Sequence, residues 1–229
     1  MGTLAILGAG GHGKVVADAA LSAGWEKVIF FDDGWPVLKQ HSMGAVVGNS
    51  AAFWSGVRSF DGVIIAVGNN ATRFKMVADL VKGNIAMATI IHPSAVVSSF
   101  SKLGQGSVVF AKAVVNPDCQ IGMGAIINTA ATVDHDCYLG DAVHLSPGVS
   151  LAGGVRVGDC SWIGIGACVR HQIAIGERVT VGAGAAVVKN IPDDVTVMGV
   201  PAKQKIFPDH PTPSALNGLT NTGKKEQPC

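Results

Sequence analysis

An aliphatic side chain returns at every sixth position from Ile91 to Val187 without a break, through Val97, Leu103, Val109, Val115 and Ile121 and on to Ile175 and Val181. Seventeen such hexads cover residues 91–192. An α-helix repeats near every 3.6 residues and a half-buried strand every second one, so a strict six belongs to neither. The fifth place of each hexad is nearly as restricted. Ala95, Ser101, Ser107, Ala113, Cys119, Ala125, Ala131 and Cys137 open a series in which eleven residues are Ala, Ser or Cys. One large and one small inward residue in every six predicts a parallel β-helix. Gly104, Gly122, Gly140, Gly158 and Gly176 recur every eighteen residues, which is three hexads, and make each coil a triangle. Coils stack at the interstrand spacing of about 4.8 Å, so each residue lies over the one eighteen before it. Neighbouring coils keep one another's interior dry, and the repeat supplies about five to six of them.

Upstream of residue 88 the hexads vanish. Thr3–Leu7 reads as a buried strand, Gly8-Ala9-Gly10-Gly11-His12-Gly13 as a tight loop and Lys14–Ala23 as a helix. Lys27–Phe31 is a second strand ending at Asp32-Asp33, Val63–Val67 a third, and Thr72–Val81 a second helix. This alternation predicts a small Rossmann-like parallel sheet of three or four strands over 1–88, with the prism over 89–203. The tail 204–229 is polar, rich in Pro, Thr and Asn, and reads as disordered.

Seventeen basic against sixteen acidic side chains leave no basic excess for nucleic acid or an anionic membrane. No apolar run reaches transmembrane length, and the start lacks the basic region of a signal peptide. Five cysteines in no Cys-x-x-Cys spacing suit a reducing compartment, so the cytoplasm is expected, and no zinc pattern is present. Cys119 and Cys137, eighteen apart at the small inward place, are expected to pack as stacked apolar neighbours, with a disulfide as the alternative.

Gly8, Gly10 and Gly13 satisfy G-x-G-x-x-G between a strand and a helix, with Asp32 and Asp33 about twenty residues on. The short sheet leaves no second half for a nicotinamide. What remains is a loop whose backbone N–H groups and helix N-terminus approach a nucleoside diphosphate, with His12 and Lys14 as added donors; NAD and a merely structural turn are the alternatives. In the prism, His135 and His144 fall at outward places. Asp134 and Asp136 flank His135, and either carboxylate can orient an imidazole and keep it basic. Gly153 lies one coil above His135, leaving an open N–H and room for a substrate. His171 stands thirty-six residues beyond His135, a spacing seen in γ-carbonic-anhydrase-type zinc sites, but the further histidine such a site needs is replaced by Gly176, so no metal is expected.

Hexads ending in Gly199-Val200-Pro201-Ala202-Lys203, joined to Gly8-Ala9-Gly10-Gly11-His12-Gly13-Lys14, resemble the left-handed β-helix acetyltransferases of the sialic acid O-acetyltransferase (NeuD) family. Within it the chain is most similar to the nucleotide-sugar N-acetyltransferases of the bacillosamine and perosamine pathways. The resemblance implies a left-handed coil, although ordinary parallel crossovers are right-handed. It implies a homotrimer with active sites between subunits, no resident cofactor, and acetyl-CoA as co-substrate. It also implies transfer to the 4-amino group of a UDP- or GDP-linked 4-amino-4,6-dideoxyhexose, with O-acetylation of sialic acid or another sugar as the alternative. By position, His135 matches the family's general base and Asp136 the acid beside it. His144, Gly153, Ile165 and Ala183 match acetyl-CoA contacts, and Gly10, Gly11, His12, Lys14, Asp32 and Asp33 match the nucleotide-sugar pocket.

Overall fold

The computed structural model describes residues 2–205. Its N-terminal unit runs β1 (Thr3–Leu7), α1 (Gly11–Ser22), β2 (Lys27–Phe31), β3 (Gln40–His41), β4 (Gly44–Gly48), α2 (Ser50–Gly56), β5 (Gly62–Ile65) and α3 (Asn70–Lys82). The sheet has five strands in the order β3-β4-β2-β1-β5, one more than the most expected from the sequence. The addition is a two-residue edge strand, β3, antiparallel to β4. β4 itself, bounded by Gly44 and Gly48, offers only Ala45-Val46-Val47 between its glycines, a shorter apolar run than the one in β1 or β2. Both long helices begin earlier than expected, α1 at Gly11 inside the glycine loop and α3 at Asn70. Asn69 caps α3 by accepting the Thr72 N–H at 2.9 Å.

The repeat region is a parallel β-helix of seventeen two-residue strands, β6 (Ile90–Ile91) to β22 (Ala186–Val187), that fall in turn on three faces. Every coil pairs in register with the residue eighteen later: Ile126 opposes His144, Thr132 opposes Ser150, and Gln120 opposes Tyr138. The fourth hexad residue, from Gly106 through Gly184, takes left-handed backbone and turns each corner. The inward aliphatics from Val109 to Val187 are buried with the small fifth-place residues in one continuous core. Ile91 differs: no coil lies beneath it, and it is 38% exposed. Cys119 and Cys137 are buried free thiols, and the Cys119 Sγ donates to the Asp134 carbonyl at 3.0 Å.

The face that begins with β6 carries the N-terminal unit. Its outward column reads Ile90, Val108, Ile126, His144, Trp162 and Thr180. The first three are at most 2% exposed and pack with Phe110 against α1, β1, β2 and β4. At His144 the column turns polar, and past it Gly68–Ala71 of the N-terminal unit line a cleft with Cys160, Trp162, Arg178 and Thr180. After β22 the chain adds β23 (Thr196–Met198) to this face and closes it with an antiparallel β24 (Lys203–Lys205). Gln204 and Lys205 are therefore ordered strand residues, a correction to the expected tail at 204–229; residues 206–229 lie outside the described residues. Among the described residues no helix is long and apolar enough to cross a membrane.

The glycines spaced by eighteen have a steric cause. A Cβ on Gly122 would sit 2.5 Å from the Gly140 carbonyl carbon and 2.6 Å from its oxygen, which are backbone atoms of the next coil. Gly122→Ala is therefore expected to lower unfolding stability by about 1–3 kcal/mol, the usual cost of overpacking a rigid site. Chemical denaturation checks this, and an unchanged midpoint would refute the steric account.

Candidate active site

Two clusters of sequence-predicted residues form on different parts of the prism. The first is the corner after β13 (Thr132–Val133), where Asp134, His135 and Asp136 follow one another. Asp134 holds the turn: its Oδ1 accepts the His135 backbone N–H at 2.8 Å and the Asn116 Nδ2 one coil below at 2.9 Å. Asp136 has the left-handed φ of 60° that the corner requires, a conformation Asp tolerates. Its Oδ2 lies 2.6 Å from His135 Nδ1. With Nδ1–H donated to that carboxylate, Nε2 is the ring's free acceptor. Asp136, with Asp134 adding its charge, holds the His135 imidazole above its ordinary pKa.

Gly153 stands beside this ring, one coil up. A Cβ there would meet His135 Cε1 and Nε2 at 2.6 Å. The open space that the sequence assigned to a substrate is thus occupied by the imidazole itself, which corrects that expectation. The ladder at this corner uses the Gly153 carbonyl, which accepts from Gln172 N, and the Gly154 N–H, which donates to His135 O. Among the described residues the Gly153 N–H takes no part in it. A shallow depression lined by Asp134, His135, Asp136, Gly153, His171 and Gln172 opens to solvent here, and the His135 side chain is 61% exposed.

The second cluster lies where the glycine loop faces β15 (His144–Leu145). His144 is 6.5 Å from the His12 ring, which stands edge-on to Phe110 at 5.8 Å. Asn128, which the sequence reading did not single out, has its Nδ2 3.2 Å from His144 Nε2, while its Oδ1 accepts the Thr129 N–H. That amide orientation makes Nε2 an acceptor and leaves the proton on His144 Nδ1. Burial, assisted by the nearby Arg73 cation, pulls His144 down to about 3 and His12 to about 4. Both rings are neutral donors and acceptors at physiological pH.

Gly11 begins α1 and Gly10 stands just before it, and a Cβ at either would meet open space. Lys14 follows in its first turn. Asp32 fastens the loop, accepting the Ala9 N–H at 2.8 Å and the Gly34 N–H at 2.9 Å. Asp33 accepts from Ser50 through both its N–H and its hydroxyl, which keeps the carboxyl below its usual range. Ile165 and Ala183 turn the corner after β18 (Trp162–Ile163) and β21 (Thr180–Val181). That is a different edge of the prism from the one bearing His135. A single chain therefore does not gather all the expected residues at one point.

The chain matches the family model described as PglD N-terminal domain over residues 3–80. It is 39% identical over 117 residues to UDP-N-acetylbacillosamine N-acetyltransferase of Bacillus subtilis (strain 168), a match that takes in 47% of this chain and 51% of that protein. The match thus spans about half the length of the curated relative. Among solved structures, it is 43% identical to the acetyltransferase domain of PglB from Neisseria gonorrhoeae FA1090, covering 89% of this chain and 99% of that one with a TM-score of 0.85. The same domain is also known in complex with acetyl coenzyme A. PerB from Caulobacter crescentus, solved with CoA and GDP-perosamine, is 40% identical over 90% of this chain and 98% of its own, with a TM-score of 0.84. These structures share the architecture of an α/β unit followed by a left-handed β-helix.

Titration of the histidine side chains by NMR is expected to separate the two clusters. His12 and His144 remain neutral down to about pH 4 and about pH 3, while His135 charges above the ordinary histidine range. Protonation of His144 near neutrality would contradict the buried cleft.

Proposed function

The chain belongs to the family of left-handed β-helix nucleotide-sugar N-acetyltransferases, and on that premise we propose that it transfers the acetyl group of acetyl-CoA to the 4-amino group of a nucleotide-linked 4-amino-4,6-dideoxyhexose. The observation that carries this reading is the 2.6 Å His135–Asp136 pair, which in the neutral imidazole makes Nε2 the acceptor, beside the Gly153 backbone on a side chain that is 61% exposed.

The amine nitrogen attacks the acetyl carbonyl carbon, and His135 Nε2 takes the proton that the nitrogen loses. The tetrahedral intermediate collapses by breaking the C–S bond, and the departing thiolate takes a proton back from the imidazolium. Asp136 stabilises that imidazolium and holds its tautomer. The Gly153 N–H donates to the developing oxyanion, a contribution of about 3 kcal/mol in comparable acyl transfers. No covalent enzyme intermediate is needed. The backbone at Ile165 and Ala183 carries the pantetheine arm, and His144 Nδ1–H meets the thioester end. The loop Gly10-Gly11-His12, with Lys14, Asp32 and Asp33, receives the nucleoside diphosphate at a helix N-terminus.

The His135 edge is not the edge that borders the glycine loop. The protein accordingly works as a homotrimer in which one copy's imidazole serves the cleft of its neighbour. This keeps the imidazole and the acetyl-CoA contacts on rigid coils and lets packing between prisms set their distance.

The reading is tested with acetyl-CoA and a panel of UDP- and GDP-linked amino sugars, following thiol release and the position of the new acetyl group. Acetylation at the 4-amino nitrogen is expected, with His135→Asn losing at least ~100-fold in kcat. Thiol release with sialic acid and with no amino sugar would overturn it in favour of an O-acetyltransferase.

Asp136→Asn supplies a second, signed test. A base must be neutral to act, so kcat/KM rises with pH through the His135 pKa, which Asp136 raises. Removing that carboxylate is expected to move the acidic limb of the profile to lower pH while lowering its plateau. An unmoved limb would show that another group is titrating.

A further inference from the structure

Arg73 on α3 is the largest fully buried side chain of the described residues, 1% exposed, and no carboxylate is paired with it among them. Its guanidinium spends all five N–H donors on neutral oxygens. Nε donates to Gly124 O at 2.8 Å. Nη1 donates to Val67 O at 2.9 Å and Gly68 O at 3.2 Å. Nη2 donates to Asn70 Oδ1 and Ala142 O, each at 2.8 Å. Asn70, thus oriented, donates its Nδ2 to Cys160 O at 3.0 Å and Ser161 O at 3.1 Å.

The prism acceptors form a series. Gly124, Ala142 and Cys160 are the left-handed corner residues of three successive coils along one edge. Their N–H groups are used in the ladder, donating to Gln105, Met123 and Asp141. Their carbonyls are the groups that Arg73 and Asn70 take. The other pair of acceptors, Val67 O and Gly68 O, is the chain leaving β5. There Ala66 N donates to Leu7 O, and the Ala66 carbonyl packs so closely on Gly8 that a Cβ would meet it at 2.6 Å. Arg73 and Asn70 together therefore tie three coil corners to the β5 exit, and the residue just before that exit, Ala66, packs on the first residue of the glycine loop.

We infer that Arg73, together with Asn70, is a positioning clamp that fixes the height of the glycine loop over His144 and so sets where a bound nucleotide sugar presents its amine. This inference rests on the acceptor role proposed above for that loop. Only Arg fits: a Lys ammonium has three donors on one atom and cannot span both the β5 exit and two coil corners. The clamp touches neither Ile165 nor Ala183, the backbone contacts assigned above to the pantetheine arm, and Arg73→Lys keeps the cation beside His144.

Arg73→Lys and Asn70→Ala are to be measured for kcat and KM with each substrate, for acetyl-CoA affinity by calorimetry, and for hydrogen exchange across residues 8–13 and 67–70. The expected result is a fall on the order of 100-fold in kcat/KM for the acceptor, the scale of a misplacement near 1 Å. It comes with unchanged acetyl-CoA affinity and faster exchange confined to those two segments. Folded variants that keep the wild-type acceptor kcat/KM and loop exchange overturn the clamp, as does an equal loss for both substrates. Should Arg73→Lys fail to fold, Asn70→Ala, which keeps four of the five Arg73 hydrogen bonds, decides alone. A wild-type protein without transfer to any amino sugar would sink the proposed function instead. The exchange comparison still judges the clamp in that case.

Discussion

Every placement on the prism depends on the backbone ladder between coils. His144 N donates to Ser161 O, Asp134 N to Leu151 O and Gln120 N to Cys137 O, so the pitch of the prism is fixed at eighteen residues by hydrogen bonds that a one-residue slip would break throughout. A side chain's height and edge then follow from its number alone. Asn116 beneath Asp134, His135 beneath Gly153, and the corner carbonyls of Gly124, Ala142 and Cys160 one above another all result from that single constraint. A loop-built site would need its own packing to reach comparable rigidity; here the stacking supplies it.

The two clusters use burial in opposite ways. On the exposed edge, Asp136 keeps an imidazole basic with its Nε2 open to solvent. In the cleft, desolvation keeps His12 and His144 neutral, so they orient polar groups without charging. The proposed chemistry needs both behaviours, one group that takes a proton and others that do not, and the fold separates them onto different edges. Arg73 is the unusual member: a cation shielded by carbonyl dipoles rather than by an acid. Replacing it by an uncharged chain would leave several buried carbonyls unpaired, each of which costs free energy.

Much of this was legible in the residues, and the reasons differ. The hexads announce the prism because inward places in a coil tolerate little variation, and the glycine loop stands out because only glycine allows Gly8 its φ of 113° against Ala66. Asp134 and Asp136 are indistinguishable in the sequence as neighbours of His135; the fourth hexad place, left-handed from Gly106 through Gly184, separates the ring's partner from the turn's anchor. The sixth-place column held a signal that went unread: Ile90, Val108 and Ile126 are apolar outward residues because a second unit covers them, and His144 marks where that cover ends. Arg73 could not be read. A cation on a helix looks solvated, and its partners lie 51 and 69 residues away. Asn128 was hidden likewise, since its contact with His144 is set by the coil corner rather than by a motif.

If the base of one copy serves the cleft of another, mixed oligomers reveal it. His135→Asn and His144→Ala chains, each carrying its own purification tag, are co-expressed, and the species bearing both tags is assayed for acetyl transfer. Two inactive parents are expected to yield an active hybrid, because an intact cleft on one chain meets an intact His135 on the next. Hybrids as inactive as either parent, isolated with both chains folded, would mean that a single chain supplies the whole site.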